Sequence, residues 1–173
     1  VRNTGSWLHR WAEEAPYRVA LSERPETGPG WRNLTYAELL QQVRAVGAAL
    51  LERGLGQDDT IAILSGNGLD NLILTLAAQY VGVPVVPLAE QYSLIPEAHG
   101  RLIYVLDKVK PKLAFVDDAT RYSAALTLPQ LESVEVVSVH GCAPRAVTPF
   151  ADLLAKEVTT TVDEEHAKVG PYT

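Results

Sequence analysis

Apolar residues recur along this chain with two different rhythms, and the rhythm changes near residue 60. Before that point it is helical. Leu39, Val43, Val46 and Leu50 fall at intervals of four, three and four, which lines one face of an α-helix. Thr35-Tyr36-Ala37-Glu38 stands just ahead of them. There the Thr35 hydroxyl can accept the Glu38 amide while the Glu38 carboxylate reaches back, a reciprocal N-terminal cap. Gly54 supplies the stop. Upstream, Ser6 is placed to cap a short helix carrying Trp7, Leu8, Trp11 and Ala15, which Pro16 ends. Val19–Arg24 and Trp31–Leu34 flank Pro25-Glu26-Thr27-Gly28-Pro29-Gly30, the composition of a hairpin turn.

Beyond residue 60, short apolar runs alternate with amphipathic segments. Thr60–Leu64, Val83–Leu88, Leu113–Val116 and Val134–Val139 read as strands. Between them, one helix turns Leu69, Leu72, Ile73, Leu76 and Tyr80 inward and ends at Gly82. A second starts near Pro96 with Ile95, Leu102, Val105, Leu106 and Val109 in register, and Ala119–Leu126 is a third, short one. Thr148-Pro149 reads as the cap and first-turn proline of a helix through Leu154. Short apolar strands separated by helices predict an α/β fold, a doubly wound, mostly parallel sheet covered on both faces. Its parallel strands are expected near 60–64, 84–88, 113–117 and 134–139, joined by right-handed crossovers. The organisation is then a helix, hairpin and long helix over 1–55, a Rossmann-like α/β unit over 56–156, and a polar connection over 157–173.

Composition narrows the functional classes. A net charge of −6 without a dense Lys/Arg cluster argues against nucleic acid as a partner and against a polybasic membrane anchor. No apolar run reaches the roughly 20 residues of a membrane span, and the charged start does not resemble a signal peptide. A lone cysteine, Cys142, cannot form an internal disulfide, so a reducing cytoplasm is the expected location. Cys142 itself reads as a small buried or half-buried filler in a Gly-Cys-Ala-Pro turn. The chain starts at Val1, lacks methionine and stops at Gly170-Pro171-Tyr172-Thr173, and is therefore read as a fragment.

Candidate chemistry is sparse. Ser65-Gly66-Asn67-Gly68 lies between a strand and a helix, where backbone amides could hold a phosphate. The third glycine of a dinucleotide fingerprint is replaced by Asn71, and the alternative is a tight turn whose glycines permit positive φ. Asp117-Asp118 follow a strand end and read as a cap for the next helix, or as functional carboxylates. The four histidines, His9, His99, His140 and His166, lie far apart and lack i, i+4 partners, which argues against a zinc site. On these motifs alone the chain is an α/β domain.

The succession of segments says more. Leu34-Thr35-Tyr36-Ala37-Glu38-Leu39, Ile61-Ala62-Ile63-Leu64-Ser65-Gly66-Asn67, and the run from Leu76 to Leu88 resemble, in order and spacing, the first motifs of adenylate-forming (AMP-binding) enzymes. Leu102–Val116 is similar to the helix and strand that follow them. Ile63–Asn67, Tyr92-Ser93-Leu94 and the tail Val162–Thr173 look most like bacterial feruloyl-CoA synthetases. The resemblance implies the truncated N-terminal part of an ATP-dependent acid–CoA ligase. Such an enzyme forms an acyl-adenylate from a carboxylic acid with Mg2+-ATP, then a CoA thioester. It implies no catalytic residue and no metal ligand within these residues, because the phosphate loop, acid pocket, ribose carboxylate and C-terminal lysine follow later. By the same resemblance Arg121, Ala89 and Glu90 are the positions that could touch the CoA nucleotide. It leaves open homo-oligomerisation and an acceptor other than CoA. A non-catalytic α/β binding module is the alternative from another class.

Overall fold

The computed structural model describes residues 3–24 and 28–170. Pro25-Glu26-Thr27 of the hairpin turn and the terminal Pro171-Tyr172-Thr173 lie outside the described residues. Helix α1 (Thr4–Glu14) is capped by Asn3, whose Oδ1 accepts the Ser6 amide at 2.9 Å. Ser6, expected as the cap, lies inside the first turn. The Asn3 amide also donates to the Val169 carbonyl at 3.0 Å, a tertiary bond that local pattern cannot announce. Strands β1 (Val19–Glu23) and β2 (Arg32–Thr35) pair antiparallel as the expected hairpin.

Helix α2 (Tyr36–Glu52) begins at the anticipated capping box: Thr35 Oγ1 accepts the Glu38 amide at 3.3 Å and the Thr35 amide donates to Glu38 Oε2 at 2.8 Å. It ends in a Schellman turn. Gly54, at φ +71, lets its own amide reach Leu51 O at 2.9 Å and the Leu55 amide reach Leu50 O at 3.2 Å. Besides Leu39, Val43, Val46 and Leu50, helix α2 buries Ala45, Gly47, Ala48 and Ala49, because other helices pack on its flanks.

The sheet follows. Strands β3 (Ile61–Ile63), β4 (Val85–Pro87), β5 (Leu113–Asp118), β6 (Glu135–His140) and β7 (Thr148–Pro149) lie in the order β4-β3-β5-β6-β7, every pair parallel. Helices α3 (Leu69–Tyr80), α4 (Gln91–Leu94), α5 (His99–Val109), α6 (Ser123–Leu126) and α7 (Phe150–Leu154) connect them. Alternation sorts the strand side chains onto two faces. Ile61, Ile63, Leu113, Phe115 and Val137 join one buried cluster, and Ala62, Leu64, Ala114, Val116 and Val136 another.

Four further expectations are corrected. Leu72 is exposed, because α3 turns Leu69, Ile73, Leu74, Ala77, Ala78 and Tyr80 inward and Leu72 falls on the outer side. Ile95 is exposed in the extended link between α4 and the 3-10 turn Pro96–Ala98. Thr148 belongs to a fifth strand, and its hydroxyl donates to Glu135 at 2.8 Å in place of capping α7. The polar tail contains helix α8 (Thr160–Lys168), whose one buried residue, Val162, packs against Gly47 of α2. No helix among the described residues is long and apolar enough to cross a membrane.

Candidate functional site: a cleft at the sheet switch point

From β3 the chain goes outward to β4, then returns to the opposite side of β3 as β5. Strand order therefore reverses between β3 and β5, the position where open α/β sheets form a crevice beyond the strand ends. The loops after β3, β5 and β6, with the hairpin, enclose a cleft of about 570 Å3 there. Arg24, Arg32 and Arg121 line it, opposed by Glu23, Asp70, Asp117 and Asp118. Arg32 grips Asp70 through two 2.7 Å bonds, and that bond raises its already high pKa.

The Ser65–Gly68 loop forms one wall, and side chains tie it to its surroundings at both ends. Glu23 Oε1 accepts the Leu69 amide at 3.1 Å, capping α3 from β1. The Gly66 carbonyl accepts from Asn71 at 2.9 Å. Positive φ is not why the glycines are there: Gly68 sits at φ −176, extended backbone, and Gly66 is not among the positive-φ glycines. Close approach is the reason. A Cβ on Gly66 would stand 3.0 Å from Glu90 Oε2, and one on Gly68 would stand 3.0 Å from Glu23 Oε1.

Of the three residues expected at a CoA nucleotide, the structure brings two together. Arg121 Nη2 meets Glu90 Oε1 at 2.8 Å. The same oxygen accepts the Tyr122 hydroxyl at 2.7 Å. Tyr122 is fully buried, and burial followed by the bond to Glu90 pushes its hydroxyl pKa well above the usual value. Ala89 is exposed, and its carbonyl accepts the Tyr92 amide at 2.9 Å at the start of α4. Tyr122 was missed as a functional position: an aromatic beside an arginine reads as core, and nothing local pairs it with a carboxylate 32 positions away.

Asp118 closes the turn ahead of α6, its Oδ1 accepting the amides of Thr120 at 2.8 Å and Arg121 at 3.4 Å. Helix α6 itself, with Tyr122 at its N-cap, lacks the side-chain cap expected from Asp117-Asp118. Cys142 is exposed, contrary to the buried or half-buried filler expected, because Gly141 at φ +80 turns the chain out over Asp118 and Thr120.

A second polar cluster lies away from the cleft. His9 and His166, distant in sequence, come within 5.6 Å ring to ring, with the buried Tyr80 between helices α1 and α8. His166 stacks on Tyr80 at 3.8 Å and its Nδ1 donates to the Tyr80 carbonyl at 3.0 Å. The Tyr80 hydroxyl donates to Asp163 at 2.9 Å, so it accepts from His9 Nε2 at 2.6 Å. Arg44 completes the network through a two-point pair with Asp163. Burial and then the nearby His166 lower the pKa of His9. Burial and the bond to Asp163 raise that of Tyr80. Burial works to raise Asp163, but the bonds from Arg44 and Tyr80 outweigh it and hold the carboxyl below its ordinary value. No group of three or more His, Cys, Asp or Glu among the described residues is arranged to hold a metal ion.

Residues 8–173 match the family described as AMP-binding enzyme. The chain is 29% identical over 107 residues to luciferin 4-monooxygenase of Photuris pensylvanica, covering 62% of this chain and 19% of that protein. It is 30% identical over 132 residues to the 4-hydroxybenzoate–CoA/benzoate–CoA ligase of Rhodopseudomonas palustris, covering 73% of this chain and 22% of that enzyme. The chain thus spans about a fifth of each of these relatives. Its fold is similar to that of acetoacetyl-CoA synthetase from Streptomyces lividans, at a TM-score of 0.76 and 21% identity over 91% of this chain and 25% of that one. With its parallel five-stranded sheet and a family match over nearly its whole length, the chain belongs to the AMP-binding enzyme family.

Proposed function

We propose that these residues are the N-terminal part of an ATP-dependent acid–CoA ligase acting on an aromatic, hydroxycinnamate-like carboxylic acid, with a feruloyl-CoA synthetase as the specific reading. The observation that carries it is the likeness to a ligase whose name specifies benzoate and 4-hydroxybenzoate, spread over 73% of this chain. In the intact protein the acid and Mg2+-ATP would give an acyl-adenylate and pyrophosphate, and the CoA thiol would displace AMP. This chain's contribution is positioning. Its sheet supports the cleft, and Arg121, with Glu90 beside it and Ala89 next in the chain to Glu90, would meet the CoA nucleotide. Mg2+ would be held with ATP by residues beyond those described. By itself the 173-residue chain is expected to lack turnover and to bind ATP no better than about millimolar, as the phosphate loop is expected within about ten residues after Thr173.

The test is pyrophosphate release and thioester formation by the intact protein with ferulate, 4-hydroxybenzoate, benzoate and acetate. Ferulate turnover with CoA supports the reading. Thioester formation only from acetate removes the aromatic assignment, and no pyrophosphate with any acid favours a non-catalytic module. Arg121→Gln is expected to raise KM for CoA with little change in kcat, and an unchanged KM removes Arg121 from the CoA site. A second reading, adenylation with a different acceptor, draws on a 33% identity over 85 residues to a protein of Streptomyces sp named salicylyl-CoA synthase / salicylate adenylyltransferase; pyrophosphate release without thioester would favour it.

A further inference from the structure

Glu90 is held by two donors and flanked closely by Gly66. The Tyr122 hydroxyl, rooted in the buried core, donates to its Oε1 at 2.7 Å. Arg121 Nη2 reaches the same oxygen at 2.8 Å. Gly66 leaves room for the other oxygen, since a Cβ there would stand 3.0 Å from Oε2. Arg121 is differently placed. Its side chain is 46% exposed against 27% for Glu90, it lines the cleft, and its guanidinium lies 5.7 Å from the Tyr122 ring centroid. The carboxylate is the anchored partner and the guanidinium the one that can turn outward.

We propose that Glu90 is an affinity-limiting carboxylate that competes with a phosphate-bearing ligand for Arg121. This rests on reading the cleft as the place of a nucleotide phosphate. An anion that enters must either displace Glu90 from the guanidinium or share it against the repulsion of a charge that Tyr122 keeps in place. Glu90 thereby sets the affinity of the cleft by an anchored charge of opposite sign to Arg121. The bonding pattern makes the charge separable from the geometry. Both donors use one oxygen, and an amide oxygen has two lone pairs to accept both, so Glu90→Gln removes the charge and its added attraction for Arg121 while keeping the bonding pattern.

The experiment titrates the 173-residue chain with adenosine 3′,5′-bisphosphate and, separately, inorganic pyrophosphate, by calorimetry and by NMR of the arginine side-chain resonances. Glu90→Gln is expected to tighten binding about five-fold, the upper end of what one solvent-facing charge pair is worth. Glu90→Asp keeps the charge and is expected to show no gain, which separates charge from packing. In an Arg121→Gln background the Glu90→Gln gain is expected to vanish, as a double-mutant cycle requires of a direct pair. Thermal melting of each variant checks that it is folded. The proposal is overturned by Glu90→Gln binding no tighter than the parent, by an equal gain in Glu90→Asp, by a gain that survives without Arg121, or by no binding of either anion to any variant. A gain shared by pyrophosphate and the bisphosphate supports the competition as one for phosphate in general. A gain confined to the bisphosphate supports it as one for a nucleotide. Failure of the CoA assignment alone would show instead as an unchanged KM for CoA in the intact protein's Arg121→Gln variant.

Discussion

The two faces of the sheet are built from the same three central strands and are covered in different ways. On the first face Ile61, Ile63, Leu113 and Phe115 present large side chains to α2, α3 and α7, with Phe115 and Phe150 meeting edge to face at 5.5 Å. Helices α1 and α8 complete that layer, and side chains of α1, α2, α3 and α8 meet in the network of His9, Arg44, Tyr80, Asp163 and His166. On the second face the intervening positions include the small Ala62 and Ala114, and the partners are Leu102, Leu106, Tyr122, Ala125 and Leu126. There the hydroxyl of a core tyrosine leads to Glu90 and the cleft. The first face spends its polar groups on joining helices to one another, and the second spends them on orienting a charge at the sheet edge. One set of strands can thus serve assembly on one side and a site on the other.

The largest test of this contrast uses neighbouring residues of β5 that point to opposite faces. Phe115→Ala is expected to cost about 3–5 kcal/mol, transfer plus cavity. Val116→Ala on the second face should cost about 2 kcal/mol for its smaller buried side chain. Urea unfolding measures both, and equal losses would mean that the faces are not packed differently.

Glycines give a contrast of sign. A Cβ on Gly5 would stand 2.2 Å from His166 Cε1, so Gly5→Ala must push α1 off the network and is expected to cost about 1–3 kcal/mol. Gly100, in α5 on the second face, faces open space at an ordinary helical φ. Gly100→Ala is expected to stabilise the chain by up to about 1 kcal/mol. A neutral Gly5→Ala would show that α1 is not held against α8.

The smallest effect is in pH. His9 has a folded pKa below its ordinary 6.5, so the unfolded chain takes up its proton first as pH falls. Stability from this residue is therefore intact above pH 6.5 and declines as pH drops from 6.5 through the lower folded value. Asp163, also lowered, adds a further decline below its ordinary 3.8. Urea midpoints between pH 8 and 5 should fall in the parent and flatten in His9→Gln. An equal slope in both would remove His9 as the cause.

Much of the fold was legible locally. The Thr35–Glu38 box, the Gly54 stop, the hairpin and four of the five parallel strands each depend on residues a few positions apart. Arg121 and Glu90 were also singled out, through resemblance and not through any local pattern, and their pairing across 31 positions needed the fold. Helix α8 escaped because a polar segment with one buried residue, Val162, carries almost no amphipathic signal. Asn3, the actual cap of the first helix, escaped because it is fixed in part by Val169, far along the chain.

The division follows from the range of the forces. Alternation of apolar residues, capping chemistry and glycine stops act within a turn or two, so the order of helices and strands and the parallel α/β character are written into consecutive residues. Whether a polar group ends as a cap, a clasp or part of a site depends on what the sheet brings beside it. Glu23 caps a helix 46 residues on, Tyr80 bridges His9 and Asp163, and Tyr122 holds Glu90 under Arg121. Each is a charged or hydroxyl group whose desolvation is offset only by a partner distant in sequence, and only the tertiary structure selects that partner.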